Sequence, residues 1–333
     1  MTSRDEAMQT FLHNAGWAEA QRGPLAGDAS ARRYLRLQSA QGAAVLMDAP
    51  PGSGEDIQPF TAMTRWLREH DLSAPEILAE DSTAGFLLLE DLGDDLYARH
   101  VLAQPESEIT LYKAATELLL RLAEIGPAPH LAAYDHAVLR READLFSEWW
   151  LPAATQDAST WRVEDYAGLL DTALPPVAET REVTVLRDYH AENLLWLPAR
   201  GGLQAVGLLD YQDALSGHPA YDLMSLLEDA RRDTSAELRE AMIQHYLAAR
   251  PKLHAEDFRR DYAILAAQRN LKIIGIFARL ALRDGKPRYL DLIPRVWGHL
   301  MRDLAHPDLA GVRDWVTMHA PKPSESLLAR VAG

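Results

Sequence analysis

The chain has 333 residues, 47% of them hydrophobic, and its 49 acidic and 34 basic side chains give a formal net charge of −15. This length and apolar content suffice for a large core or two lobes, and the acidity argues against nucleic acid or an anionic membrane as the main partner. The absence of cysteine excludes disulfides and thiolate chemistry. Because no run of about 18 apolar residues and no signal-peptide stretch is visible, a cytoplasmic protein is expected.

Up to residue 93, the pattern predicts mainly strands. A short opening helix is indicated by the helical spacing of four apolar residues, Met8, Phe11, Leu12 and Ala15. A pair of strands is predicted over 32–37 and 43–48, around a polar turn. An amphipathic helix over 57–70 and a short buried strand over 86–89 complete this part.

Beyond residue 105 the pattern is helical, apart from a central group of short strands. Helical periodicity is strongest over 109–125 and 264–282. Short apolar runs over 183–186, 194–197 and 205–209 predict strands, and the last two form a hairpin. The sequence therefore predicts an α+β fold of two lobes. A small N-lobe with an antiparallel sheet takes residues 1–93, and a larger, mostly helical C-lobe takes residues 94–333.

The segment 187–193, which reads RDYHAEN, carries the strongest functional signal. Asp188 and Asn193 stand five positions apart after a predicted strand, and a later apolar run leads directly to Asp210. Phosphoryl transfer needs such a set, because one carboxylate orients the acceptor hydroxyl and accepts its proton. An amide oxygen and a second carboxylate then hold Mg²⁺ on the phosphates of a nucleotide. The spacing therefore predicts a kinase.

The same segment admits a rival interpretation as a metal hydrolase. Asp188, His190 and Glu192 alternate along the chain, and with a nearby aspartate they would suit Zn²⁺ or Mn²⁺. No second histidine stands at ligand spacing, however, and the chain contains no cysteine. The pattern therefore favours phosphoryl transfer.

RDYHAEN, together with LLDYQDALSGHPAYDL at 208–223, resembles the catalytic core of the aminoglycoside phosphotransferase and choline kinase superfamily. These enzymes are small-molecule relatives of protein kinases, so the resemblance implies a protein-kinase-like bilobal fold with ATP and Mg²⁺ as cofactors. It also implies that Asp188 is the catalytic aspartate and that Asn193 and Asp210 are the Mg²⁺ ligands. Asp222 matches an aspartate that braces this loop in the family, although its position before an apolar run predicts a helix N-cap.

Four further segments, 27–34, 46–51, 88–93 and 268–280, resemble the bacterial anomeric sugar kinases. Those kinases phosphorylate N-acetylmuramate and N-acetylglucosamine at C1 during cell-wall recycling. The resemblance extends from about residue 11 to residue 300 and implies a sugar acceptor for this chain.

The same resemblance implies a nucleotide site in the N-lobe. The backbone of Glu90, Asp91 and Leu92 would bind the adenine edge, and a loop with Gly27 and Ser30 would cover the phosphates. One position departs from the kinase pattern, because Met47 stands where a strand lysine usually reaches the phosphates. Arg33 is the predicted substitute, since it shares the apolar face of its strand with Leu35 and Leu37.

Candidates for binding the acceptor come from the C-lobe. They are His190, Glu192, Asp213, Tyr221, Arg269, Lys272 and Arg279. His190 replaces a lysine found in many protein kinases. The three cations recur at helical spacing, which has two interpretations. They form either an exposed face with salt bridges or a stripe that binds a carboxylate, such as that of the lactyl group of muramate.

Other functions remain open at this point. Choline, aminoglycoside and homoserine kinases are alternatives within the superfamily, and Trp149, Trp150 and Trp161 would suit the aromatic cage of a choline site. A nucleotide-binding pseudokinase is suggested by the missing lysine, but the intact Asp188, Asn193 and Asp210 favour an enzyme.

Overall fold

A computed structural model describes residues 3–25, 32–52, 54, 56–155 and 162–332 of the chain. Its strands are, in chain order, β1 (Gln21–Leu25), β2 (Arg33–Ser39), β3 (Gly42–Asp48), β4 (Ile77–Asp81), β5 (Phe86–Glu90), β6 (Val183–Val185), β7 (Leu194–Trp196), β8 (Val206–Leu208) and β9 (Leu215–Gly217). Its α-helices are α1 (Arg4–Asn14), α2 (Gln58–Glu69), α3 (Tyr97–Ala103), α4 (Glu108–Ile125), α5 (His136–Leu145), α6 (Leu151–Ala154), α7 (Val163–Ala173), α8 (Pro175–Ala178), α9 (Ala220–Leu227), α10 (Ala236–Ala249), α11 (Ala255–Leu282), α12 (Ile293–Asp303), α13 (Ala310–His319) and α14 (Glu325–Ala332).

Backbone proximity divides the described chain into two compact units. The first takes the described residues of Met1–Ala115 and Ala191–Ala214, and the second those of Thr116–His190 and Leu215–Gly333. This division differs from the expected boundary at residue 93, because residues 94–115 and the segment 191–214 with the β7–β8 hairpin group with the N-terminal sheet. The functional division at residue 93 stays a prediction.

A five-stranded antiparallel sheet of order β1-β2-β3-β5-β4 forms the centre of the first unit. Helix α1 begins with a capping box at Ser3 and Glu6 and packs on one face of the sheet, where Phe11 stacks on Phe86 at 5.5 Å between ring centroids. The apolar core on this face contains Met8, Phe11, Leu12, Trp17, Ala20, Leu37, Ala44, Leu46, Phe86 and Leu88. The predicted strand pair and both predicted N-terminal helices are thereby confirmed.

Helix α11 runs through the second unit and packs against α5, α9 and α12. Most of its residues from Phe258 to Leu280 are buried, and polar side chains such as Gln268, Arg269 and Asn270 are among them. The other described elements of this unit are helices, apart from the short β6–β9 pair, so the predicted α+β architecture is confirmed. Within the described residues, no helix combines the length and the apolar character that crossing a membrane requires.

Gly275 sets how closely α11 approaches the end of α5. A Cβ at this position would overlap the Leu145 carbonyl group and lie 2.7 Å from the Leu145 Cβ. Gly275→Ala should therefore lower the free energy of unfolding by roughly 1–3 kcal/mol, as overpacking of a core usually does. Denaturant titration measures the change.

Gly298→Ala provides the matched control for this prediction. Gly298 lies inside α12, and a Cβ there would have no atom within 4 Å. This variant should be unchanged or more stable by up to about 1 kcal/mol, because alanine favours a helix over glycine. A Gly275→Ala protein as stable as wild type would contradict the close packing.

Candidate functional site

In the second unit, Asp222 fixes the backbone just before Asp188. Its carboxylate accepts hydrogen bonds from the N–H groups of Leu186 at 2.6 Å and Arg187 at 2.9 Å, while the Ser225 hydroxyl donates to the Arg187 carbonyl at 3.3 Å. Arg187 adopts φ 70°, a left-handed conformation that non-glycine residues rarely adopt. The bracing role is thus confirmed by contacts. The expected N-cap role of Asp222 is wrong, because α9 already begins at Ala220 and Pro219 occupies the cap.

A buried glutamate, Glu142 of α5, collects three partners next to this loop. It pairs with the guanidinium of Arg187, lies 3.0 Å from the Lys272 ammonium and accepts a hydrogen bond from the Tyr134 hydroxyl. Burial raises the pKa of Glu142, but the charges of Lys272 and Arg187 outweigh this and lower it overall. Glu142 is therefore ionised, and it anchors both the catalytic loop and α11.

The cations around Asp188 keep this carboxylate ionised. Burial raises the pKa of Asp188, but the positive charges of Lys272, Arg269 and Arg187, with His190 when protonated, lower it below the ordinary aspartate value. At neutral pH the carboxylate can therefore accept a hydrogen bond from an acceptor hydroxyl. The same Arg269 charge acts on Asp222, whose pKa burial raises to about 7 against the pull of its two N–H bonds.

His190 is a buried, neutral side chain. Burial lowers its pKa to about 4, with Arg231 and Arg269 adding to the effect and Asp229 and Asp188 opposing it. At neutral pH it therefore does not supply the positive charge of the lysine that it replaces.

This depressed pKa predicts a loss of stability in acid. An unfolded histidine takes up a proton near pH 6.5 but the folded one only near pH 4, so this group destabilises the fold as pH falls through that window. Once the pH has fallen through this whole window, the free energy of unfolding is lower by on the order of 3 kcal/mol. His190→Gln should narrow the stability gap between pH 7 and pH 4, measured by denaturant unfolding. An identical gap in both proteins would show that His190 does not titrate in this way.

In the first unit, the β7–β8 hairpin brings Asn193 and Asp210 together. Leu194 pairs with Leu208, and the Leu209 N–H donates to the Asn193 carbonyl at 3.0 Å. The Asn193 amide nitrogen then lies 3.4 Å from an Asp210 carboxylate oxygen. The Gln212 amide holds the other Asp210 oxygen at 2.8 Å. Asn193 and Asp210 are therefore close together, as the sequence predicted.

Their donor set fits Mg²⁺. One amide oxygen and one exposed carboxylate are hard ligands, and Mg²⁺ commonly takes one or two protein oxygens beside substrate phosphates. In the part of the chain that the structure describes, no three His, Asp or Glu side chains gather as a metal-binding group. The Zn²⁺ or Mn²⁺ hydrolase alternative therefore gains no support.

The expected adenine-binding segment follows β5. The Glu90 N–H already donates to the Glu76 carbonyl at 2.8 Å, so this N–H is not available to a ligand. The Asp91 carboxylate lies 2.7 Å from the Arg36 guanidinium and accepts the Gly93 N–H at 2.9 Å. These bonds fix Asp91 and the backbone up to Gly93. Gly27 and Ser30, the expected phosphate loop, lie outside the described residues.

The prediction that Arg33 replaces the missing lysine is corrected. Met47 is fully buried between Tyr34 and Leu87 of the neighbouring strands. Arg33 stands opposite Asp48 in the register, on the other face of the sheet, and its guanidinium bonds the Asp48 carboxylate at 2.6 Å. The apolar face that Arg33 shares is covered by α1. Arg33 does share a face of its strand with Leu35 and Leu37, as the alternation predicted. Met47, however, lies on the opposite face of the sheet.

The remaining acceptor candidates separate into three groups. Glu192 and Asp213 are exposed in the first unit. Tyr221 is 1% exposed with its hydroxyl 2.9 Å from that of Tyr134, and its contact with a substrate stays a prediction. Arg279 lies ten residues from Arg269, roughly 15 Å along α11. Its positive charge is one of those that lower the pKa of Asp284.

The cationic stripe on α11 is not an exposed face. Arg269 is 5% exposed, and Lys272 is paired with Glu142. Of the three tryptophans considered for an aromatic cage, Trp150 is fully buried, Trp149 is partly buried and Trp161 lies outside the described residues. Glu142 was missed from the sequence, since it belongs to no recognisable local motif.

Comparison with known proteins gives concordant results. The family model described as "Phosphotransferase enzyme family" matches residues 22–258. A protein of Caulobacter vibrioides named N-acetylmuramate/N-acetylglucosamine kinase is 37% identical, covering 96% of this chain and 98% of the relative. A protein of Pseudomonas putida with the same name is 36% identical, covering 92% and 91%.

Two solved structures share the fold. An ethanolamine kinase of Plasmodium vivax superposes with a TM-score of 0.62 at 10% identity, covering 93% of this chain and 92% of its own. An aminoglycoside phosphotransferase in a ternary complex with streptomycin and ATP gives a TM-score of 0.57 at 13% identity, covering 82% and 91%. These likenesses confirm the predicted protein-kinase-like fold. On the family match and the two relatives, the chain belongs to the phosphotransferase enzyme family.

Proposed function

We propose that this chain is a cytoplasmic ATP- and Mg²⁺-dependent kinase for N-acetylmuramate and/or N-acetylglucosamine. It transfers the γ-phosphate of ATP to the anomeric C1 hydroxyl of the sugar during cell-wall recycling. The observation that carries the proposal is the pair of relatives that bear this name and match more than nine-tenths of the chain.

Asp188 is the proposed catalytic residue. Its ionised carboxylate accepts a hydrogen bond from the C1 hydroxyl and turns the oxygen toward the γ-phosphate. It takes the proton as the new O–P bond forms, while the bond from the γ-phosphorus to the β-phosphate oxygen breaks and ADP leaves. The anomeric hydroxyl is more acidic than the other sugar hydroxyls. A carboxylate with a low pKa therefore suffices, because the loose transition state of phosphoryl transfer demands more positioning than basicity.

Asn193 and Asp210 are the proposed ligands of Mg²⁺, which neutralises charge on the ATP phosphates when bound. The Glu90 carbonyl and the backbone as far as Leu92 would bind adenine. Gly27 and Ser30 remain proposed for the phosphate loop, within a nucleotide-covering part that ends at residue 93. Since Met47 carries no charge, the balance of phosphate charge rests on the metal ion and on cations outside β3.

An ATP-consumption assay over a panel of acceptors tests the proposal. The panel contains N-acetylglucosamine, N-acetylmuramate, choline, homoserine and an aminoglycoside. Rapid turnover is expected with one or both amino sugars and at most background with the others. Turnover of another acceptor alone would move the chain elsewhere in its family, and binding of ATP without turnover of any would favour the pseudokinase.

A further inference from the structure

Two acidic side chains of the second unit are buried beside one another. Glu228, just after α9, is 1% exposed, and Asp303, the last residue of α12, is 6% exposed. The side-chain amide of Asn270 in α11 donates to both, at 3.1 Å to Glu228 Oε2 and at 2.9 Å to Asp303 Oδ2. Because the two carboxyl oxygens contact the same nitrogen atom, the two carboxyl groups are immediate neighbours.

One arginine accompanies these two acids. The Arg302 guanidinium lies 3.3 Å from Glu228 Oε2, and within the described residues no cation lies at ion-pair distance from Asp303. Two ionised carboxylates with a single cation would keep one negative charge uncompensated. Such a charge is costly away from water, so the pair is expected to retain a proton.

The other titratable side chains around the pair do not supply the missing positive charge. They lie on α10, α11 and α12 and are Arg239, Glu240, Arg259, Tyr262 and His299. Arg259 pairs with Glu240, and the Arg239 guanidinium donates to the Thr234 carbonyl oxygen. Burial lowers the pKa of His299 and raises the pKa of Tyr262, so both side chains are neutral at pH 7.

We propose that Glu228 and Asp303 share one proton at neutral pH, and that this proton joins the end of α9 to α12. Loss of the proton at higher pH places two negative charges side by side and weakens the contact between these helices. Burial and the charge of Glu228 raise the pKa of Asp303 well above its ordinary value, against the charge of Arg302 and the bond from Asn270.

The position of the pair gives the proton a path to solvent and a link to the catalytic loop. Both carboxyl groups line a cavity of about 200 Å³, which has room for water, and the Arg302 side chain in its wall is 41% exposed. The pair also lies at the end of the helix that carries Asp222 and Ser225, whose side chains hold the backbone before Asp188. A pH-sensitive contact is therefore built into the support of this loop.

Denaturant unfolding between pH 5 and pH 9 tests the proposal by comparing wild type with Asp303→Asn. The amide mimics the protonated carboxyl group, because it is neutral and can still donate to Glu228. A pKa that is raised in the folded state stabilises the fold in acid, and this stabilisation is lost as the pH rises from about 4. The ratio of the unfolding constants, wild type over variant, should therefore increase with pH, by up to about tenfold per unit.

Asp291→Asn is the matched control, because it makes the same change at an exposed carboxylate shortly before α12. Its ratio should stay constant over this pH range. Glu228→Gln removes the other half of the pair, so it should also give a rising ratio, and it serves alone if Asp303→Asn does not fold.

Infrared spectroscopy at pH 7 provides an independent measurement. Wild type should show the absorption of a protonated carboxyl group that is missing from Asp303→Asn. A ratio that does not change with pH in either variant of the pair, or equal infrared absorption in wild type and Asp303→Asn, would overturn the inference. Neither measurement needs a sugar or a nucleotide, so the result is independent of the proposed function.

Discussion

Asp188→Asn is expected to lower kcat by roughly 10²–10⁴, the usual scale for loss of a general base. The substitution keeps the shape of the side chain but removes the charge that nearby Lys272 and Arg269 stabilise. ATP affinity should stay close to wild type, because the proposed role of Asp188 concerns the acceptor. Single-turnover kinetics and ATP titration measure the two quantities separately.

The control for this variant is Asp165→Asn, the same change at an exposed carboxylate of α7. It should leave kcat unchanged. An Asp188→Asn enzyme with more than about half of the wild-type kcat would remove Asp188 from the chemistry.

Asp210→Ala should reduce activity by about 10³ or more, since a metal ion supplies several kcal/mol of charge stabilisation in such a transition state. The variant leaves Asn193 as the remaining proposed protein ligand, so high Mg²⁺ should restore only part of the rate. Initial rates measured over a range of Mg²⁺ concentrations provide the test.

Gln212→Ala is the matched variant. It removes the amide that lies 2.8 Å from Asp210 and leaves the carboxylate in place, so the rate should fall less than about tenfold. If Asp210→Ala kept the wild-type Mg²⁺ dependence, the metal would have to be bound elsewhere.

Local patterns in the sequence predicted several of the helices and most of the described strands. The predicted helix over 57–70 is α2, that over 109–125 is α4, and that over 264–282 forms the last two-thirds of α11. These helices have an apolar period that does not depend on the rest of the fold. The strands β1, β4 and β9 were missed. The first two are edge strands of the sheet, and β9 has only three residues, so its apolar pattern is too short to recognise.

The candidate site was predictable where its residues are close in the chain. The hairpin that joins Asn193 to Asp210 is local, so spacing and turn signals were enough. Glu142 reaches Arg187, next to Asp188, from α5, and only the tertiary structure brings it there. The error over Arg33 has a related cause, because alternation shows that a face is buried but not which element covers it.

The most direct test of the account is the phosphorus NMR spectrum of the product from N-acetylglucosamine or N-acetylmuramate with ATP and Mg²⁺. A phosphate on C1 couples strongly to the single H1 proton, whereas a phosphate on C6 couples to two protons. The account predicts a proton-coupled doublet, which identifies the sugar 1-phosphate. A triplet from a 6-phosphate would contradict it.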